Sequence, residues 1–279
     1  MEHDGISANF GSGSATGWSR MPEPGGKPLK RNIPSLLGLL ALLITGVVSA
    51  AESPAKPLSP AVAAAAGPTA AGGKGIRTIY LVRHGYYTAD STADPNVGPG
   101  LAPLGREQAA NVGRYLATLP VKFESLTSSM LTRARETADI MALTLHMRVN
   151  RDSLWNECGP RSENPAQNRG DTEAEILASD AQLEAAWAKY MRPSPEADTH
   201  DVIVAHGNVI RWMVAQTVAG DTKKWGTMDI AHCSLTVLTV RPDGSVRLVM
   251  YSNLGDLPLE QQTWAGRGAG WVKTVTGMK

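Results

Sequence analysis

Apolar residues fall along this chain in two alternating rhythms, short continuous runs and longer stripes at helical spacing. The run Ile76 to Val82 is rich in Ile, Tyr, Leu and Val and breaks at Gly85, which predicts a buried strand. Asp201 to Ala205 is a second, β-branched run, followed by a helix-like segment from Val209 to Val218. Between them a strand is expected over Lys122 to Thr127, and Met130, Ala134, Ala138, Met141 and Leu145 then recur at helical spacing. Another helix is expected from Pro103 to Leu119, with proline at or near its first position and Leu104, Val112, Leu116 and Leu119 on one face. Near the end, Ser234 to Val240 and Ser245 to Tyr251 flank Arg241-Pro-Asp-Gly244, a turn in which Gly supplies positive φ, so the two runs should pair as a hairpin at a sheet edge. Alternating strands and helices predict an α/β fold.

Both principal strands deliver a histidine. His84 in Val82-Arg83-His84-Gly85 and His206 in Ala205-His206-Gly207 each stand at the carboxyl end of a strand, where open α/β sheets place ligands. Arg83 adds a permanent charge and a planar donor fork suited to phosphate, while Arg133 sits near the start of a helix whose backbone donors already favour an anion. A nucleophilic nitrogen and an anion clamp are thus supplied together. A metal site is the rival reading of two histidines and a carboxylate. The short ligand spacings typical of zinc are absent, and the neighbouring arginines would repel a cation.

The other candidates have ordinary readings. Arg106, Glu107 and Arg135 read as solvated helix residues, and Tyr86, Tyr87 and Asp90 as residues that shape an entrance or simply pack. His146, His200 and His232 lack a strand-end glycine and are read as surface or ordinary satisfied histidines, with a site-edge role the alternative for His232.

Composition bounds the rest. The 279 residues carry a formal charge of +1 and show no basic stripe, RNA-binding aromatic motif or internal repeat, so nucleic acid is not an expected partner. Residues 1–51 read as a leader. Lys27, Lys30 and Arg31 precede the apolar stretch Ile33 to Val48, and Val48-Ser49-Ala50-Ala51 supplies small residues, the outline of a secretory signal peptide. Export to a periplasmic or extracellular space is the expectation, with Met21 as a second candidate start and a single-pass N-terminal anchor as the alternative; in either case membrane contact is confined to this segment. The Ala/Pro/Gly-rich stretch 52–73 reads as a flexible linker, 74–259 as the catalytic domain and 260–279 as a tail. Cys158 and Cys233 are too few for a disulfide scaffold, and two independent thiols are the default over one bridge.

Four separated motifs, in matching order and spacing, resemble the histidine phosphatase superfamily, which includes the phosphoglycerate mutases. They are Arg83-His84-Gly85, Leu104-Gly-Arg-Glu-Gln-Ala109, Ser128-Ser-Met-Leu-Thr-Arg-Ala-Arg-Glu-Thr-Ala138 and Ala205-His-Gly-Asn208. The resemblance implies a three-layer α/β/α sandwich with a mostly parallel central sheet, phosphoglycerate mutase-like. It also implies phosphomonoester hydrolysis with no cofactor and no metal. His84 would take the phosphoryl group, Arg83, Arg133 and His206 would bind its oxygens, and Glu157 in Trp155-Asn-Glu-Cys158 would be the proton donor, with Glu163 and Asp171 the next nearest carboxylates.

Asn208-Val-Ile-Arg-Trp212 and the C-terminal hairpin look similar to the mitochondrial, membrane-anchored protein serine/threonine phosphatase branch. Phosphoproteins or phosphorylated small molecules are accordingly the expected substrates, and a homodimer is left open. Two alternatives stand beside this reading: phosphoglycerate mutase-type transfer, and a catalytically idle, membrane-tethered protein that docks phosphorylated partners.

Overall fold

A computed structural model of the chain describes residues 73–255 and 257–264. The leader, its apolar run 33–48 and most of the linker and tail lie outside the described residues. Among the described residues, no helix is long and apolar enough to cross a membrane.

Six strands form one sheet. They are β1 (Arg77–Arg83), β2 (Ser125–Ser128), β3 (Val149–Arg151), β4 (Thr199–Ala205), β5 (Leu235–Val240) and β6 (Val246–Asn253), in the spatial order β3-β2-β4-β1-β5-β6. The first four are parallel neighbours, and β5 and β6 run antiparallel. Because β1 and β4 are central, both of their faces are buried, which is why they read as nearly continuous apolar runs. Ile79, Leu81 and Ile203 face one layer, made by α3 (Glu173–Tyr190) and α4 (Gly207–Ala219) with Leu183, Ala186, Ile210 and Met213. Val82, Val202 and Val204 face the other, made by α1 (Pro103–Ala117) and α2 (Thr132–Leu145) with Val112, Leu116, Ala138 and Met141. This is the three-layer, mostly parallel α/β/α sandwich expected.

Three local readings shift. The second strand is Ser125–Ser128, in register with β4 from Asp201 opposite Ser125, and just before it the Glu124 N–H still donates to the His200 carbonyl. The helix expected from Met130 begins at Thr132. Before it, the Met130 N–H donates to Asn156 Oδ1 and the Leu131 N–H to Ser129 Oγ, so a side-chain-held turn takes the place of a first helical turn and Met130 is 41% exposed. The first helix ends at Ala117, since the Thr118 N–H turns back to Tyr115 and the Leu119 N–H to Leu116. The hairpin forms as read, with Gly244 at φ 81° closing its turn.

Register fixes where the site is. Arg83 pairs with Ala205 across β1 and β4, and the His84 N–H donates to the Ala205 carbonyl, so His84 and His206 leave the sheet at one level. β5 enters beside them in the opposite direction, with the Cys233 N–H within reach of the Arg83 and His84 carbonyls. The chain after His84 is pressed against the start of α1. A Cβ at Gly105 would overlap the Tyr86 carbonyl oxygen, and one at Gly85 would lie 2.5 Å from the Gly105 carbonyl oxygen. Gly105→Ala is therefore expected to cost about 1–3 kcal/mol by overpacking and to lower the Tm by roughly 5 °C. Thermal unfolding checks it, and an unchanged Tm would mean that the post-His84 segment is free to move.

Candidate active site

The nucleophile candidate is fixed by its own backbone. His84 Nδ1 lies 2.8 Å from the Gly85 carbonyl, which can only accept, so the proton is on Nδ1 and the lone pair on Nε2. The Gly85 N–H in turn donates to Thr137 Oγ1, whose hydroxyl donates to the Arg133 carbonyl, tying this turn to α2. Arg133 Nε stands 3.3 Å from His84 Nε2. Burial, together with the fields of His206, Arg83, His232 and Arg133, holds the His84 imidazole well below the ordinary histidine range, so it is neutral and nucleophilic at physiological pH.

Around it stand buried donors. Arg83 Nη1 donates to the Ile230 carbonyl at 2.6 Å, while its Nε is sealed from solvent with no partner among the described residues. Burial pulls this guanidinium down to about 10 against the opposing attraction of Glu157, which still leaves it charged at neutral pH. His206 lies with its ring centroid 5.0 Å from that of His84. Its Nε2 meets Ser129 Oγ at 2.7 Å, and its Nδ1 is buried without a partner among the described residues. Unpaired buried polar atoms are costly and rare in a native core. Here two of them, Arg83 Nε and His206 Nδ1, belong to side chains that flank the candidate nucleophile.

Glu157 reaches the site from the loop after β3. Its Oε1 accepts from the Asn208 N–H in the first turn of α4 at 3.2 Å, and Asn208 Nδ2 holds the Cys158 carbonyl at 2.9 Å. Burial raises the carboxyl above the usual glutamate range, and Arg83, Arg133 and Arg211 only partly offset it. Glu163 and Asp171 are exposed. Arg106, Glu107 and Arg135 are exposed as read, Arg106 pairing with Glu136 at 3.0 Å.

Two readings are extended by the fold. His232 is buried and its ring centroid lies 5.4 Å from that of His84, so it belongs to the site edge rather than to the surface. The signal was its position just before β5, the strand antiparallel to β1. Tyr87 packs edge-on to His84 at 5.4 Å and beneath the Arg133 guanidinium at 4.9 Å, which makes it a wall of the cleft.

Sequence reasoning gave no role to Arg211 or Ser129. Arg211 stands one turn after Gly207 on α4, donates to the Asn208 side chain at 2.6 Å and to the Met228 carbonyl at 2.8 Å, and lies over Trp225; helical spacing from the His-Gly pair was the available clue. Ser129 stood inside a quoted motif, and only the fold brings its hydroxyl to His206. Among the described residues, no group of three or more His, Cys, Asp or Glu side chains could hold a metal ion.

A family model for the histidine phosphatase superfamily (branch 1) matches residues 79–187 and 161–253. The chain belongs to the histidine phosphatase superfamily. It is 34% identical over 188 residues to the mitochondrial serine/threonine-protein phosphatase Pgam5 of Caenorhabditis elegans, covering 65% of this chain and 64% of that protein. It is also 34% identical over 196 residues to the Rattus norvegicus PGAM5, covering 68% and 67%. The chain thus spans about two thirds of the length of these relatives. Among solved structures, a Plasmodium falciparum phosphoglycerate mutase is similar at 22% identity and a TM-score of 0.46, over 67% of this chain and 96% of that one.

The two thiols in and beside this histidine phosphatase site are free. Burial, reinforced by Glu157, pushes Cys158 up to about 12, and burial raises Cys233 further. Since the thiolate is the reactive form, both are protonated at neutral pH. Iodoacetamide at pH 7.5 is expected to leave activity unchanged and to label the folded chain far more slowly than the urea-unfolded one, as read by mass spectrometry. Rapid labelling of Cys158 in the folded protein would show a local environment quite different from this one.

Proposed function

We propose that this phosphatase hydrolyses phosphomonoesters through a phosphohistidine on His84, with phosphoserine and phosphothreonine side chains of proteins as its substrate class. The observation that carries the reading is the pairing of a neutral imidazole, its lone pair directed by the Gly85 carbonyl, with Arg133 3.3 Å away and with unpartnered Arg83 and His206 atoms beside it. The names of the relatives, serine/threonine-protein phosphatases, support the substrate class.

In the first half-reaction His84 Nε2 attacks phosphorus and the bond to the leaving oxygen breaks. Arg83, Arg133 and His206 take up the charge of the three equatorial oxygens, and the Glu157 carboxyl gives its proton to the leaving oxygen. Nδ1–H, donated throughout to the Gly85 carbonyl, spreads the positive charge of the phosphorylated ring. In the second half-reaction Glu157, now a carboxylate, takes a proton from water as the water oxygen attacks phosphorus, and the P–N bond breaks to restore His84. Burial raises this carboxyl and so favours its protonated form as a donor, while the three flanking arginines favour the carboxylate that the second half-reaction needs.

The organisation of the full chain belongs to the same proposal: a leader over 1–51, a linker over 52–73 and a catalytic domain from 74. Of the two readings of the apolar run 33–48, a retained anchor accords better than export with relatives named as mitochondrial.

His84→Ala is expected to abolish turnover of p-nitrophenyl phosphate without lowering the Tm, and wild-type enzyme quenched during turnover should carry acid-labile, alkali-stable phosphate. Turnover retained by His84→Ala would sink the mechanism. The proton donor is tested by leaving group. Glu157→Gln should slow the single-turnover phosphorylation step by about 100- to 10,000-fold with a phosphoserine peptide and far less with p-nitrophenyl phosphate, whose leaving group needs no proton. Because the carboxyl must be protonated in this step, the wild-type rate with the peptide should fall as pH rises through the raised Glu157 pKa, a limb that Glu157→Gln lacks. Equal losses for both substrates would leave Glu157 a positioning role only.

A further inference from the structure

The loop that carries Glu157 is gripped at two points, and one side chain joins them. We propose that Arg211 is the positioning residue of the proton donor, acting through Asn208 on the Glu157 carboxyl. This deepens the phosphatase reading and rests on it.

The last torsion of a glutamate is soft, so a carboxyl on a loop has no fixed direction of its own. Direction comes here from the start of α4, where the first N–H groups have no partner within the helix. One of them, the Asn208 N–H, donates to Glu157 Oε1 at 3.2 Å, and Asn208 Nδ2 donates to the Cys158 carbonyl at 2.9 Å, so one residue grips two consecutive loop positions. That double grip requires the Asn208 amide to face one way. Arg211, which can only donate, sets it: Nη2 donates to Asn208 Oδ1 at 2.6 Å, which turns Nδ2 toward Cys158.

The guanidinium is itself held on three further sides. Nε donates to the Gly207 carbonyl at 3.2 Å, Nη1 donates to the Met228 carbonyl at 2.8 Å, and the central carbon lies over the Trp225 ring, 4.7 Å from its centroid. Trp225 is wholly buried, and its Nε1 donates to the Pro160 and Arg161 carbonyls at 3.2 and 3.1 Å, so the Glu157 loop is held a second time just beyond Cys158. Arg211 thus joins both points of attachment. A lysine could not, because a single ammonium has no planar fork to meet acceptors in several directions while stacking on an indole.

Charge adds a second effect. Glu157 is faced by Arg83 on β1, Arg133 on α2, Arg211 on α4 and the protonated Cys158 thiol of its own loop, while His84 and His206 are neutral. Burial, the largest influence, raises the carboxyl, and the three guanidinium groups and the Asn208 N–H oppose it. Arg211 is lowered by burial in its turn, but Glu157, Tyr251 on β6 and Asp229 counter this, and it remains a cation. Removing its charge takes away one of the opposing influences and moves the carboxyl further up. Under the proposed mechanism the first step needs the protonated carboxyl, so the loss of rate at high pH must then set in at higher pH.

The test reads the single-turnover phosphorylation step with a phosphoserine peptide and with p-nitrophenyl phosphate. Arg211→Met is expected to slow the peptide by about 10- to 100-fold, the scale of a misplaced reacting group, and p-nitrophenyl phosphate far less. Its high-pH limb with the peptide should lie above the wild-type limb. In a Glu157→Gln background the same substitution should slow the peptide little further, because the proton that it positions is already gone. Arg211→Lys should show the same preference for p-nitrophenyl phosphate with its limb near the wild-type position, since the charge stays and the fork is lost.

Equal slowing of both substrates by Arg211→Met, a limb that stays in place, or an undiminished effect in the Glu157→Gln background would overturn the proposal and leave the phosphohistidine on His84 standing. Wild-type rates in Arg211→Lys would overturn it as well, and that variant decides alone should Arg211→Met fail to fold. Equal loss of both substrates in Glu157→Gln itself would overturn the donor role and this proposal together.

Discussion

The register between β1 and β4 is the constraint on which the site depends. Pairing Arg83 with Ala205 in a parallel ladder brings two strand ends to the same height, so residues 122 positions apart in sequence present neighbouring imidazoles. A slip of one residue would turn every alternating side chain of β1 to the opposite layer, exchanging Ile79 and Leu81 with Tyr80 and Val82. The two hydrophobic layers therefore lock the register, and the register positions the histidines. Core packing and site geometry are set by one choice.

What the fold assembles there is a place where charge is held at a cost. A guanidinium and an imidazole sit buried with Arg83 Nε and His206 Nδ1 unpaired, and a glutamate is raised by burial while three arginines pull it down. Each feature is unfavourable alone, and together they are complementary to a tetrahedral anion whose oxygens would satisfy the donors and whose charge would offset the arginines. The destabilisation is tolerable because the residues bearing it stand at strand ends and helix starts that the sandwich already fixes. Under the proposed mechanism such a site needs little motion, since its donors already stand in place.

Much of this was legible in the sequence, and for identifiable reasons. Strands buried on both faces announce themselves as unbroken apolar runs, and Gly85 and Gly207 punctuate them, so the strand-end positions of His84 and His206 could be read from pattern, while their proposed roles came with the family resemblance. Pro-Asp-Gly gave the hairpin through the backbone conformation Gly244 must adopt. Met130 misled because the periodicity it joins is that of the helix, whereas the turn ahead of the helix is held by the Ser129 and Asn156 side chains, which no periodicity records. His232 and Arg211 were hidden for a related reason. Thr263, 31 residues beyond His232, and Met228, 17 beyond Arg211, are contacts that a one-dimensional pattern lacks, whereas Asn208 lies only one turn from Arg211.

The segment Glu260–Trp264 shows how far this reaches. By composition it belongs to a tail, yet Thr263 is wholly buried, Trp264 bridges to Ala231, and the Gln261 carbonyl accepts from Gln108 on α1. Gln108 in turn holds the Tyr86 N–H, two residues from the nucleophile. The C-terminal segment is thus linked through Gln108 on α1 to the turn after His84, which Thr137 on α2 also holds. Under the proposed mechanism, a His84 turn tied to two helices in this way keeps its lone pair directed while phosphorus moves toward it and away again, as two successive displacements at one nitrogen require.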